Sequence, residues 1–172
     1  VMLNLGTLVD KRYEINNNTL QVSSFDFANP NTRVVSELQP DIVQLRAYYG
    51  RDTSTGTTTD GVIDVFDTTT PTTAEGWQKV LAVRIIAVAR SSAYEKNETR
   101  SDGIEAYATP SNPVWSVGTS PGVSGASSCT AGSCITLDVG AGVAGDVPAK
   151  HYRYKVFDTV VPLRNMLWRS AS

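Results

Sequence analysis

Val80-Leu81-Ala82-Val83-Arg84-Ile85-Ile86-Ala87-Val88-Ala89-Arg90 is the most apolar stretch of the chain. Leu81, Val83, Ile85, Ala87 and Ala89 alternate with positions that include Arg84 and Arg90. β-Branched residues, stiff at χ1 and suited to a pleated surface, outnumber the alanines. The alternation predicts a central strand, with a helix as the alternative that the alanine content leaves open. The segment 42–49 carries the same period of two, with Val43, Leu45, Ala47 and Tyr49 on one face and Gln44 and Arg46 on the other. A polar loop over 50–61 then leads to a short strand, Val62-Ile63-Asp64-Val65-Phe66, so the two strands read as a long-looped hairpin.

Toward the N-terminus, Arg12-Tyr13-Glu14-Ile15 and Thr19-Leu20-Gln21-Val22 flank Asn16-Asn17-Asn18. Asn tolerates left-handed backbone, so 12–22 is a predicted hairpin. Thr72 and Glu75 stand three apart, the capping-box spacing, and predict a short helix through Trp77 and Gln78. Residues 92–148, rich in Gly, Ser, Thr, Asn and Pro, read as a long surface excursion with one strand signal at Ile135-Thr136-Leu137-Asp138-Val139. The C-terminal strands span 151–167. Pro162 cannot donate to a ladder, so the last strand must break, bulge or lie at an edge there. The sum is a mostly β protein of antiparallel sheet with long loops, its sheet core at 41–91.

At 172 residues one domain over 1–172 is the expectation, because a domain of about 150 residues buries roughly 68–70% of its unfolded surface. Charged residues reach only 19%, against a usual share of about 25%, as in a secreted, turn-rich β protein. The net charge is −2 without runs of like charge, so neither nucleic acid nor an anionic membrane surface is an implied partner. No window approaches the roughly 18 apolar residues of a membrane span. The opening Val1-Met2-Leu3-Asn4-Leu5-Gly6 reads as the continuation of a longer chain.

The two cysteines, Cys129 and Cys134, lie in Cys-Thr-Ala-Gly-Ser-Cys. They lack the spacing and further ligands of a redox or zinc site and read as a local disulfide clip in an oxidising compartment. On the chain-entropy account so short a loop adds only about 2 kcal/mol; two free thiols are the alternative.

Catalytic chemistry has one candidate. Gly118-Thr119-Ser120-Pro121-Gly122 fits G-x-S-x-G and is followed by Asp138 and His151, the chain order of an α/β-hydrolase triad. The match fails because Pro121 has no N–H for the oxyanion hole, and because a Gly/Ser loop follows where a helix is needed. No enzyme is expected and no catalytic or cofactor-binding residue is assigned. For a metal, Asp52, Ser54, Asp60 and Asp64 form a poor calcium loop, with Ser54 and Gly56 where an EF-hand has carboxylates. A solvated hairpin loop is the better reading. His151, the single histidine, reads as an ordinary strand position, and Trp77, Trp115 and Trp168 as interface or core.

Several phrases together resemble the C-terminal region of the type IV pilus assembly protein PilW family. They are Asp41-Ile42-Val43-Gln44-Leu45-Arg46-Ala47-Tyr48-Tyr49-Gly50-Arg51-Asp52, Asp60-Gly61-Val62-Ile63-Asp64, Trp77-Gln78-Lys79-Val80-Leu81-Ala82-Val83-Arg84, Ala89-Arg90-Ser91-Ser92-Ala93-Tyr94-Glu95-Lys96, and 151–165 from His151-Tyr152-Arg153-Tyr154 to Val161-Pro162-Leu163-Arg164-Asn165. The resemblance covers about 13–168, with 101–148 fitting loosely. It implies an α+β pilin-like fold and a prepilin whose N-terminal hydrophobic helix, absent from this chain, anchors it in the inner membrane facing the periplasm and later lies in the pilus core. It also implies partnership with other minor pilins, the major pilin and a large tip adhesin, priming assembly at the pilus tip and supporting twitching motility and adhesion. The alternatives are a J-type pseudopilin of type II secretion and a secreted adhesin or carbohydrate-binding β domain. The loops 52–64 and 129–134 are the expected protrusions that meet neighbours.

Overall fold

The computed structural model describes residues 9–27, 29, 32–55, 60–99, 101, 103 and 105–163. Of the described residues, strands make up 49% and helix 6%. The strands are β1 (Lys11–Asn16), β2 (Thr19–Phe25), β3 (Arg33–Pro40), β4 (Ile42–Arg51), β5 (Val65–Asp67), β6 (Val80–Arg90), β7 (Glu98–Thr99), β8 (Glu105–Ala106), β9 (Val114–Ser116), β10 (Gly122–Val123), β11 (Ser127–Cys129), β12 (Gly132–Thr136) and β13 (Tyr154–Pro162). One helix, α1 (Ala74–Gln78), and a 3-10 turn, Pro148–His151, complete the elements.

β1 and β2 pair in antiparallel register with Asn16 opposite Thr19, which leaves Asn17 and Asn18 as a two-residue turn. Both take positive φ, 48° and 57°, as the primed hairpin turn that follows strand twist requires. Asn18→Val should therefore cost about 1–2 kcal/mol, because a β-branched residue is strained in that region, whereas Asn18→Gly should be close to neutral. Chemical denaturation of the two variants measures the difference; equal stability would remove the turn from the account. β3 adds to β2 to complete a three-stranded sheet.

β6 is an interior strand, between β4 and the edge strand β13, of a five-stranded sheet ordered β10-β5-β4-β6-β13, antiparallel except for β10 beside β5. Its core face is the one that carries Arg84, although Leu81 at the start of the other face is also buried. Ile86 and Val88 are buried in the core with Tyr48 and Phe66, whereas Val83, Ile85, Ala87 and Ala89 are half-exposed. In β4 the register shifts between Ile42 and Gln44, so Val43 is an extra residue. A bulge of this kind reverses the facing of every later residue in the strand. Val43 thus packs on the core while Leu45, Ala47 and Tyr49 face the other way, and Tyr48 takes the core position. Gly50 sits opposite Phe66, and a Cβ there would meet the Phe66 ring at 2.8 Å. The ring's approach requires glycine.

The segment 92–148 is not a surface excursion. Its sheet β11-β12-β9 presents Trp115 and Ile135, and with Val117, Val123 and Leu137 it forms the second layer of the core. The strand signal at 135–139 falls on β12, which ends at Thr136. Similarly, the predicted strand at 62–66 is confined to β5, while Ile63 packs against the core from the preceding loop. α1 is capped by Thr73 rather than Thr72: Gly76 N donates to Thr73 Oγ1 at 3.1 Å. β13 runs unbroken along the sheet edge and ends at Pro162; the expected continuation to 167 lies outside the described residues.

Candidate docking surface

The outward face of the five-stranded sheet is an apolar ladder three strands wide. Register places Leu45, Ala87 and Phe157 in one row, Ala47, Ile85 and Thr159 in the next, and Tyr49, Val83 and Val161 in a third. Phe157 is 49% and Val161 44% exposed, Ala47 is exposed, and Leu45, Tyr49, Val83, Ile85 and Ala87 are half-exposed. Trp77 of α1, itself 41% exposed, stands edge-on to Tyr49 with ring centroids 5.6 Å apart. Charge enters at the ends of the face. Lys155 lies over the Phe157 ring at 5.2 Å, and Arg51 is paired with Asp67 across β4 and β5. A contiguous apolar face on both sides of one sheet marks a surface meant to be covered.

The opposite face is held by a charged pair at the margin of the core, the Arg84 side chain 13% and the Asp158 side chain 29% exposed. Arg84 Nε and Nη2 donate to the Asp158 carboxylate at 3.0 and 2.5 Å, and Nη1 donates to the Val117 carbonyl at 3.2 Å. Its guanidinium lies 4.8 Å from the Trp115 ring and 5.3 Å from the Phe66 ring. Trp115 Nε1 also donates to Asp158, at 3.0 Å. The Arg84 guanidinium, helped by Trp115 and opposed by burial, holds the Asp158 carboxyl below the usual carboxylate value. This cluster joins β6, β13 and the second layer. Its sequence signal was Arg84 itself, an arginine inside an apolar strand that must be paired if its face is the buried one.

The residues singled out for calcium do not converge as free ligands. Asp52, 2% exposed, accepts from Ser54 N and Oγ through one oxygen and from Gly61 N at 3.1 Å through the other. Burial pushes its carboxyl up, but these donors outweigh it and leave the carboxyl below the ordinary value. Asp64 accepts from Thr53 N at 2.7 Å and Thr53 Oγ1 at 2.9 Å, and Asp60 accepts from Val62 N at 2.9 Å. Residues 56–59 lie outside the described residues. Among the described residues no group of three or more His, Cys, Asp or Glu side chains is placed to hold a metal. Exchanging a chelator for millimolar calcium should leave the melting temperature unchanged within about 1 °C; a rise of several degrees would restore the calcium loop, since an ion bound only by the folded state stabilises it.

Two of the triad candidates have partners of their own. His151 bonds to the Glu95 carbonyl and the Asp146 carboxylate, and Asp138 accepts from Gly140 N. His151 is buried on the 3-10 turn, not on a strand. Cys129 and Cys134 are bonded to each other across the β11–β12 hairpin, whose tip is exposed. Trp115 is core, and Trp168 lies outside the described residues. No described helix is long and apolar enough to cross a membrane.

The fold and this face define a two-layer β-sheet domain with a broad apolar face left open. A family model described as Type IV Pilus-assembly protein W matches residues 8–165, and the chain belongs to that family. The family is one of structural pilus-assembly proteins, which ties the chain to a pilus-associated role and to interaction with other pilus components. Neither the curated proteins nor the solved structures contain a match to the chain.

Proposed function

We propose that this protein is a structural minor pilin of the type IV pilus, a single domain that primes pilus assembly and sits at the tip with other minor pilins, beneath an adhesin. The observation that carries the reading is the outward ladder of Leu45, Tyr49, Val83, Ile85, Ala87 and Phe157. A surface of that composition gains by exclusion of water, at about 25 cal/mol per Å² of apolar area buried. Its occupant in this reading is an apolar pilin helix, which would lie across β4, β6 and β13 and put the domain at the outside of the fibre. The family's hydrophobic leading helix then accounts for anchoring in the inner membrane before assembly. The fold class in full would be α+β, with this chain as the β part.

The experiment is deletion of the gene. Loss of surface pili and of twitching motility, with co-purification of the tagged protein and other minor pilins from wild-type cells, is the expected result. Intact piliation and twitching with adhesion alone abolished would reject a role in assembly in favour of an adhesin.

A further inference from the structure

His151 is 3% exposed, and each of its ring nitrogens faces an oxygen that accepts. Nδ1 lies 2.7 Å from the Glu95 carbonyl and Nε2 2.6 Å from Asp146 Oδ1. A carbonyl and a carboxylate have no hydrogen to give, so both contacts need an N–H on the ring. A neutral imidazole carries one and the imidazolium two. The surroundings suit the cation: the Tyr94 ring stacks on the imidazole at 4.4 Å and 16°, and Tyr107 presents its ring at 5.7 Å. The facing charges leave the same balance. Lys150 is engaged by the Gly145 carbonyl and the Tyr107 ring, Arg153 by the Glu95 carboxylate, and Arg90 lies over the Tyr152 ring and bonds Asp41. Glu105 accepts from Tyr107 Oη, and Asp146 is the carboxylate in direct contact.

We propose that protonated His151 is a pH-dependent clasp, fastening the strap 94–97 and the Asp146 loop to the 3-10 turn and so fixing the rim of the adjoining cavity of about 540 Å³, which is lined by Glu95, Asn97, Tyr107 and Arg153. The strap reaches the turn through one further bond, Glu95 N to the His151 carbonyl at 2.9 Å, and the next loop through Thr109 N to the Lys150 carbonyl at 2.9 Å. Loss of the ring proton sets a nitrogen lone pair against an oxygen at hydrogen-bond distance. One arm of the clasp must then open. The Asp146 hydrogen bond holds the ring's pKa above its ordinary 6.5, with burial opposing. A raised folded value means that the stabilisation is complete below about pH 6.5 and is lost as pH rises through the folded value. The clasp therefore opens in the alkaline direction.

The protein has one histidine, so its ring nitrogens report without ambiguity in an NMR titration from about pH 5 to about pH 9. Hydrogen-exchange protection factors of the Glu95 and Thr109 amides are read in the same samples. The expected result is a doubly protonated ring at neutral pH, titrating above its ordinary value, with protection at Glu95 and Thr109 falling about tenfold or more through that transition while β6 amides hold. Asp146→Asn, at an exposed position that leaves the core untouched, should move the ring midpoint and the loss of protection downward together. A ring already neutral at pH 7, protection that ignores the titration, or a midpoint unmoved in Asp146→Asn would each overturn the clasp.

Discussion

Arg84→Met is expected to lower the unfolding free energy by about 2 kcal/mol, which in a domain of this size is a fall of roughly 6 °C in melting temperature. Methionine replaces the arginine's aliphatic stem, so the loss isolates the guanidinium. Four interactions depend on that group: the two-pronged pair with Asp158, the bond to the Val117 carbonyl, and the contacts with the Trp115 and Phe66 rings. The substitution leaves a carboxylate against the core with Trp115 Nε1 as its only donor among the named partners. Most of the loss is the guanidinium's own bonds and ring contacts, because Asp158, its side chain 29% exposed, stays partly solvated and keeps only a small desolvation penalty. Asp158→Asn should therefore cost less than Arg84→Met, and in the double variant Arg84→Met with Asp158→Asn part of the loss should return. Thermal and urea unfolding of the three variants measures this. A change under about 1 kcal/mol in Arg84→Met would show that the second layer does not hang on this cluster. Acid should act in the same place: with the Asp158 carboxyl held below its usual range by Arg84, this contribution is present above the unfolded carboxyl value and is lost as pH falls through the folded one.

Ile85→Glu should separate folding from assembly. Ile85 is half-exposed, between Ala47 and Thr159 at the middle of the outward ladder, so a carboxylate there stays in water in the isolated domain. The expected stability change is at most about 1 kcal/mol. Docked against an apolar helix, the same carboxylate would be buried without a partner, at several kcal/mol. Each 1.4 kcal/mol is about tenfold in affinity, so association should weaken by more than about a hundredfold. Cells carrying Ile85→Glu should make a stable protein but lack surface pili. Val114→Glu, at a residue 56% exposed on the small β11-β12-β9 sheet, is the control and should pilate normally. Normal piliation in Ile85→Glu would remove this face from the assembly interface, whatever the deletion does.

Local signals account for much of this molecule. The Asn17-Asn18 turn, the strand character of β4 and β6 and the edge position of the Pro162 strand all rest on short-range chemistry: left-handed tolerance, a period of two, and a missing N–H. The cysteine pairing has the same origin, since six residues of Gly/Ser-rich chain bring the two thiols together. The resemblance in 41–52, 60–64, 77–84, 89–96 and 151–165 reached the family whose model matches residues 8–165.

What composition concealed was the second layer. Trp115, Val117, Ile135 and Leu137 lie in a stretch of Gly, Ser and Thr whose strands run two to five residues, too short to show periodicity. The His151 clasp was hidden for a similar reason, because Glu95 and Asp146 come from loops 56 and five residues away. Which face of β6 turns inward was also beyond reach of alternation. Both faces are apolar, and hydropathy alone favours as core the face without arginines.

The residue pattern alone was sufficient to make strands, a hairpin, a clip and a family. Assigning inside and outside took the folded chain, for a physical reason: alternation defines two faces but carries no sign. The sign is set by long-range packing, here by a bulge at Val43 that shifts parity and by a distant segment whose tryptophan receives Arg84. That packing buries the charged face and leaves the ladder of Val83, Ile85 and Ala87 open to whatever docks on it.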